Sequence, residues 1–232
     1  MTIPRDSDSL YHSDPLYRAL AEEMRVYVDG DTTGHDRHHA WRVFRVGRRL
    51  AAEEGADEEI VCAAALTHDL HRVVDDGFVH PRETLPQIEA MLSTVGFPPD
   101  KLDAVLHCVA VHEEYPFEAT PEPVDTLEAA VVQDADNLDA IGAVGIARTF
   151  AFGGAHGNPL WNPDADLEIG SPTAETYDKR DHSVCVIEHV HEKLLKLADA
   201  MNTDAGRAMA RDRHEFLLAF VKRFEAEWHG KR

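Results

Sequence analysis

The sequence predicts an all-α helical bundle, on three observations. Nearly every long segment repeats its apolar residues with the 3.6-residue period of a helix. Nowhere do several neighbouring runs show sustained apolar–polar alternation with β-branched residues, the pattern of strands. Segment ends carry helix punctuation, such as Asp14-Pro15 at a start and Gly55 at a stop. At 232 residues the chain can bury a substantial core, and a single domain is expected.

The elements follow in order. Asp14 and Pro15 open a helix through about Val28, which the polar stretch DGDTTG ends. A second helix covers about Asp36 to Glu54, with Trp41, Val43, Phe44, Val46 and Leu50 on its apolar face. Asp57, Glu58 and Glu59 place negative charge at the first turn of a third, which carries Ile60, Ala63, Ala64 and Leu66 up to His68 and Asp69. Asp75, Asp76 and Gly77 mark a turn, and Pro81 starts a helix to about Val95. The break Phe97-Pro98-Pro99-Asp100 separates it from another, Lys101 to about His112, and the two are expected to pack as a hairpin. YPFEATPEPVD is a loop, Thr126 to Leu138 is a helix, and AIGAVGIARTFAFGG continues as a small-residue helix ending at Gly153 and Gly154. Residues 155–181 are polar and aperiodic, with prolines at 159, 163 and 172, so they read as a long surface loop and a lid. Two helices, about Ser183 to Met201 and Asp204 to Trp228, close the chain. The expected division is an N-terminal helix in 1–30, a core in 31–154, the lid in 155–181 and a C-terminal helical pair in 182–232.

Composition excludes several classes of partner. Forty-three acidic residues against 23 basic ones give a formal charge of −20, which disfavours nucleic acid bound through its phosphates. The same excess favours solubility and suits a salt-rich milieu, where screening relieves self-repulsion. Cys62, Cys108 and Cys185 stand far apart without a CxxC pair and read as reduced core thiols. No stretch approaches the roughly 18 apolar residues of a membrane span. The start MTIPRDSDSL lacks the regions of a signal peptide, so a cytoplasmic protein is expected.

The chemistry concentrates in CAAALTHDLHR, Cys62 to Arg72, where an apolar small-residue helix ends in the adjacent pair His68 and Asp69. Ala63, Ala64, Ala65 and Leu66 pack against other helices, so the pair is directed inward, where an uncompensated charge is costly. A metal ion would compensate both groups at once. His39 on the second helix and Asp136 within DADNLDA would complete a mixed N/O site from three helices, with Asp134 and Asp139 as near competitors for Asp136. Adjacent helical residues point about 100° apart, so His68 and Asp69 can share an ion only near the helix end. Such a set suits Mn²⁺, Mg²⁺, Fe²⁺ or Zn²⁺ without choosing among them.

His39, His68-Asp69 and Asp136 resemble the H…HD…D pattern of the HD-domain metal-dependent phosphohydrolases. The blocks HDRHHAWRV, AAALTHDLHR, QDADNLDAIGAVGIARTFAFGG and EKLLKLADAMNT are similar to those of a bacterial and archaeal subfamily, over roughly residues 30 to 228. The resemblance implies an HD-type bundle with His39, His68, Asp69 and Asp136 as metal ligands. Asp136 is favoured over Asp134 and Asp139 because Ala135-Asp136-Asn137-Leu138 follows the family's ADxL pattern. It implies a divalent cofactor, Mn²⁺ or Mg²⁺ foremost, with Fe²⁺, Co²⁺, Ni²⁺ or Zn²⁺ compatible. The implied reaction is hydrolysis of a phosphate ester or anhydride in a small phosphorylated substrate, a nucleotide or nucleoside triphosphate, with pyrophosphate released in some members.

A divalent cation with open positions lowers the pKa of its water and polarises a phosphoryl oxygen. It does not neutralise a polyphosphate, so basic side chains are expected nearby. Arg42, Arg72, Arg148 and Lys193 lie in the motif blocks, although each could instead pair with one of the 43 carboxylates. Asp69 is expected to double as proton acceptor, Arg148 and Lys193 to assist catalysis, and Arg72, Arg42, His35 and His112 to bind substrate. Asp36 is also a helix-start residue. His71, His107 and His112 are candidates for a second ion, with His112-Glu113 at a helix end best placed; this would suit the family's di-iron oxygenases, a rival reading. A noncatalytic nucleotide sensor is another. His38 is expected to be exposed, and His182, His189 and His191 to be solvated. Trp41, Phe78, Tyr115 and Phe150 are candidates to stack a base, and the substrate is expected under the loop after Gly154. A homodimer is the default assembly for such a bundle.

Overall fold

The computed structural model describes residues 14–74, 79–116, 123–162 and 185–231. The expected turn at Asp75 to Gly77, Phe78, His182 and the lid from residue 163 onward lie outside the described residues. Among the described residues all regular structure is helical, as the periodicity predicts. No helix there is long and apolar enough to cross a membrane.

Local chemistry starts most helices where the sequence places them. Asp14 accepts from the Leu16 N–H and Pro15 takes the first position of α1, Pro15–Val28, which buries Tyr17, Leu20, Met24 and Val28 along one stripe. Asp36 caps α2, Arg37–Glu54, by accepting from the His39 N–H, and Gly55 ends it at φ +80°. Asp57 caps α3, Glu58–Thr67, in which every residue from Ile60 to Thr67 is buried. A helix buried all round is the centre of its bundle. Here α1, α2, α6 (Leu102–Val111) and α7 (Leu127–Asp139) pack around α3. Gly47 makes one of these approaches possible: a Cβ there would meet Val61 Cγ1 at 3.0 Å and Ala135 Cβ at 3.5 Å.

Four boundaries differ from expectation, each for a local reason. Helix α3 stops at Thr67, and after His68 and Asp69 the four-residue α4, Leu70–Val73, resumes. The helix expected from Pro81 opens as a 3₁₀ turn, Pro81–Thr84, with a capping box between His80 and Glu83, before α5, Leu85–Thr94. It packs against α6 as the expected hairpin. The small-residue segment does not continue α7: the chain turns at Ala140 and Ile141, and Gly142 (φ +73°) opens α8, Gly142–Ala155. Gly145 lies so close to this turn that a Cβ would stand 2.1 Å from the Ala140 carbonyl oxygen. Finally, the helix expected from Ser183 to Met201 is a short α9, Val186–Glu192, and a 3₁₀ turn, Leu194–Lys196, broken at Lys193. Buried Val190, Leu194, Leu197 and Met201 keep a spacing that a helix and a 3₁₀ turn satisfy equally, so periodicity conceals the break. Thr203 then caps α10, Asp204–Trp228.

Candidate metal centre

Three helices deliver four side chains to one point. His39 sits in the first turn of α2 on the stripe that buries Val43, Phe44 and Leu50. Asp136 lies in the last turn of α7. His68 and Asp69 occupy the break between α3 and α4, where Asp69 leaves helical geometry at φ −88°, ψ 9°. That break lets neighbours in sequence face the same space, at the helix end where they were expected to meet. His39 Nε2 is 3.1 Å from His68 Nε2, 3.0 Å from Asp69 Oδ2 and 3.4 Å from Asp136 Oδ1. His68 Nε2 is 3.5 Å from Asp69 Oδ1 and 3.7 Å from Asp136 Oδ1. His39, His68 and Asp136, and separately His68, Asp69 and His112, form groups able to hold a metal ion.

The hydrogen bonds on the far sides of the two rings decide what faces inward. His68 Nδ1 lies 3.0 Å from the Ala65 carbonyl, which can only accept, so Nδ1 carries the proton. His39 Nδ1 lies 2.7 Å from Asp139 Oδ2, and a carboxylate again asks for the proton on Nδ1. Both Nε2 atoms therefore face each other and two carboxylates. Four such atoms converging in a buried space can hold a cation, a metal ion or the second proton of His68. The donors fit a divalent ion of the N/O-binding kind, since about 2.0–2.2 Å from each of four atoms corresponds to separations of the size observed. Electrostatics agree. Burial opposes charge on His68, yet Asp69 and Asp136 outweigh it and push its pKa up to about 9. Burial would raise both carboxylates, but His68, His35 and His39 hold Asp69, and His68 and His39 hold Asp136, well below the usual range.

The three aspartates of DADNLDA take different positions. Asp136 faces the two imidazoles. Asp134 is turned to the junction before α10, accepting from the backbone N–H groups of Asn202 (2.7 Å) and Thr203 (2.8 Å) and from the Thr203 hydroxyl (2.7 Å). Asp139, three residues beyond Asp136 on α7, meets His39 from its Nδ1 side.

Of the four basic residues expected near the site, Arg42 and Arg148 stand together. Arg42 donates to Asp139 through Nε (2.7 Å) and Nη2 (3.0 Å), and Arg148 through Nη1 (2.8 Å). His35 joins them, its Nδ1 2.8 Å from Asp69 Oδ2, with burial pushing its pKa down to about 4 despite that carboxylate. Arg72 lies on the other side, 3.3 Å from Asp69 Oδ1 and paired with Glu113, which also meets His71 Nε2 at 3.0 Å. Lys193 stands farther out, its ammonium 4.5 Å from the centre of the Tyr115 ring. His112 is fully buried between His68 and His71, its Nδ1 on the Val109 carbonyl and its Nε2 without a hydrogen-bond partner among the described residues. His71, His112 and Glu113 form a further group able to hold an ion, whereas His38 is exposed as expected.

His189 departs from the solvated state expected of it. It is only partly exposed, and burial, with Lys193 and Arg72 nearby, pushes its pKa down to about 3. Asp139 was considered only as a rival ligand. Its i, i+3 relation to Asp136 places both on one face of α7, a signal that pointed to the site without telling which side of His39 each would meet.

A bundle in which two histidines and two aspartates, presented by α2, the α3–α4 break and α7, converge on one buried point defines the HD domain. The chain belongs to this family: the HD domain profile matches residues 37–141. Among its relatives, the Bacillus subtilis protein YpgQ is 35% identical over 215 residues, covering 90% of this chain and 94% of YpgQ. A crystal structure of YpgQ in complex with ADP superposes with a TM-score of 0.64, covering 89% of this chain and 97% of that one. A Lactobacillus plantarum protein gives a TM-score of 0.76 at 32% identity, covering 94% of this chain and 99% of its own. An HD-superfamily hydrolase from Bacillus thuringiensis gives 0.65 at 29% identity, covering 92% and 96%. The fold is thus that of HD-superfamily hydrolases.

Proposed function

We propose that this protein is a metal-dependent phosphohydrolase that cleaves a phosphate ester or anhydride in a nucleotide, foremost a nucleoside triphosphate. The observation that carries the reading is the convergence of two imidazole nitrogens and two carboxylates, with Arg42, Arg72 and Arg148 each paired to a carboxylate beside it. The ADP bound to YpgQ supports a nucleotide as the ligand. A cleft of about 450 Å³ lined by Asp31, Gly34, Arg42, Ala147 and Arg148 gives a substrate room beside the arginine pair.

His39, His68, Asp69 and Asp136 would hold the ion, Mn²⁺ or Mg²⁺ in the first instance. Such an ion supplies Lewis acidity and an acidified water. The chain's own groups do the rest. Asp69 accepts the proton of the attacking water. Arg148 and Lys193 stabilise charge that develops on the phosphoryl oxygens, while Arg72, Arg42 and His35 fix the phosphates; His112, expected to bind substrate, is instead fully buried behind His68. The test is a panel of nucleotides and phosphoesters assayed with Mn²⁺, Mg²⁺ and Co²⁺, phosphate and pyrophosphate being measured separately. Metal-dependent release from a nucleotide is expected; no release from any compound with any ion sinks the reading.

One observation favours a second reading, a two-ion centre such as that of a di-iron oxygenase. His112 Nε2 has no hydrogen-bond partner among the described residues and lies with His71 and Glu113 in a group whose ligand atoms are within 4.8 Å of one another. Two irons per chain in a metal analysis would support it, and one ion per chain would dismiss it. A nucleotide sensor without activity would instead show a closed coordination shell lacking ligand water.

A further inference from the structure

Asp139 gathers three side-chain partners, yet it does not face the candidate ion itself. It is buried, and its two oxygens accept from three side chains on two helices. Oδ1 takes Arg42 Nε (2.7 Å), and Oδ2 takes His39 Nδ1 (2.7 Å), Arg42 Nη2 (3.0 Å) and Arg148 Nη1 (2.8 Å).

We infer that Asp139 is a positioning residue that sets the ion-binding imidazole and the two phosphate-facing arginines as one unit. The argument has two steps. An imidazole offers a lone pair to an ion through one nitrogen only when its proton sits on the other. The partner of that second nitrogen therefore selects the tautomer and raises the basicity of the first. Asp139 is that partner for His39, as the Ala65 carbonyl is for His68. The second step concerns the arginines. A guanidinium on a long stem loses considerable rotamer freedom when it binds phosphate, unless something already holds it. Asp139 grips Arg42 through two parallel N–H groups, a geometry fixed in both distance and plane. It grips Arg148 through Nη1, while Gly34 (φ +98°) leaves the space that the Arg148 stem fills. A Cβ at residue 34 would stand 3.1–3.3 Å from Arg148 Nε, Cγ and Cβ. One carboxylate thus fixes the distance between the ion's nitrogen ligand and the cations that meet the phosphate.

This inference rests on the metal reading and is separable from the proposed reaction, because its test needs no substrate. Co²⁺ is titrated into the full-length protein and into Asp139→Asn, following the visible ligand-field bands, with unfolding by urea measured alongside. The expected result is a 10- to 100-fold weaker Co²⁺ affinity and altered band intensities in Asp139→Asn, the range found when partners of ligating histidines are removed. Co²⁺ binding with wild-type affinity and spectrum would overturn the inference, even if nucleotide hydrolysis were confirmed. Should Asp139→Asn fail to fold, Asp139→Glu, which keeps the charge but moves it by one methylene, is titrated with Co²⁺ in its place. Weaker affinity and altered bands are expected, and wild-type affinity and spectrum would overturn the inference. Absence of nucleotide hydrolysis with Co²⁺ bound as expected would count against the proposed reaction alone.

Discussion

Asp69 is the residue at which most of the site's interactions cross. One carboxylate reaches His35, His39 and His68 and lies beside Arg72, so its removal leaves three imidazoles and a guanidinium without their shared counter-charge. Asp69→Ala is therefore expected to abolish metal-dependent phosphate or pyrophosphate release while leaving far-ultraviolet circular dichroism unchanged within a few per cent. Retention of activity in a metal-stripped Asp69→Ala protein would falsify that role. The histidines make a second statement, about acid. His35 and His71 are pushed down to about 4 and His189 to about 3, burial being the main cause in each, against 6.5 for an unperturbed ring. Between pH 6.5 and 4 the unfolded chain therefore takes up protons that the folded chain refuses, so stability is present above 6.5 and lost as pH falls. Each group contributes at most about 1.4 kcal/mol per pH unit. Urea titrations of the metal-free protein at pH 7, 6 and 5 should show the unfolding free energy dropping by a few kcal/mol; a flat profile would contradict buried neutral rings. At this scale the ligand positions were readable because each imidazole and carboxylate interrupts an apolar stripe where a satisfied core residue belongs. The partners Asp139, Glu113 and His189 were less readable, because which side of a ring a carboxylate meets depends on helix rotation and not on spacing.

Elements explain why the donors stay in place. The break after Thr67 costs α3 its last intrahelical bonds, but Thr67 Oγ1 returns to the Ala63 carbonyl at 3.0 Å and His68 Nδ1 to that of Ala65, so the end is closed by side chains. Helix α7 has two clamps five residues apart. Asp139 holds the α2 side, and Asp134 holds the entry to α10 by accepting four hydrogen bonds from Asn202 and Thr203. Gly206 is required there, since a Cβ would stand 2.2 Å from Asp134 Oδ2. Asp134→Ala is expected to cost about 2–4 kcal/mol of stability, because the Thr203 N–H and hydroxyl are left buried without an acceptor. It should leave Co²⁺ affinity within about threefold of wild type once the protein is folded, a factor equivalent to under 1 kcal/mol. Comparable loss of metal binding in Asp134→Ala and Asp136→Ala would refute this division of labour. The caps Asp14 and Asp36 were legible in sequence, whereas Asp57 and Thr126, expected within their helices, and Thr203 prove to be caps that accept from the first turn. The breaks were not legible. The turn at Ala140 and Ile141 depends on Gly145 meeting a carbonyl, and Lys193 interrupts a spacing that two helix types share, so neither leaves a periodic signature.

At the scale of the whole molecule, charge is the property that sequence states outright and the fold does little to offset. The 20 excess negative charges belong to a chain whose histidine and aspartate groups could hold a cation. Pairs such as Arg25 with Glu22 and Asp29, or Arg49 with Glu53, are solvent-exposed and worth only tenths of a kcal/mol each. What the paired arginines of the interior provide is therefore local: Arg42, Arg72 and Arg148 keep positive charge close to the ion-binding carboxylates while the surface field favours cations over phosphates. Two consequences oppose each other as salt rises. Screening weakens the exposed pairs, a small loss, and weakens the mutual repulsion of the excess carboxylates, a larger gain when they outnumber cations 43 to 23. With a Debye length of about 10 Å at 0.1 M and about 3 Å at 1 M, repulsion between neighbouring surface patches is removed while contacts inside the centre persist. The unfolding free energy of the metal-free protein should accordingly rise between 0.1 and 1 M KCl, read from urea midpoints at constant slope. A curve that is flat or falling over that range would show that the acidic surface is already compensated in the folded state.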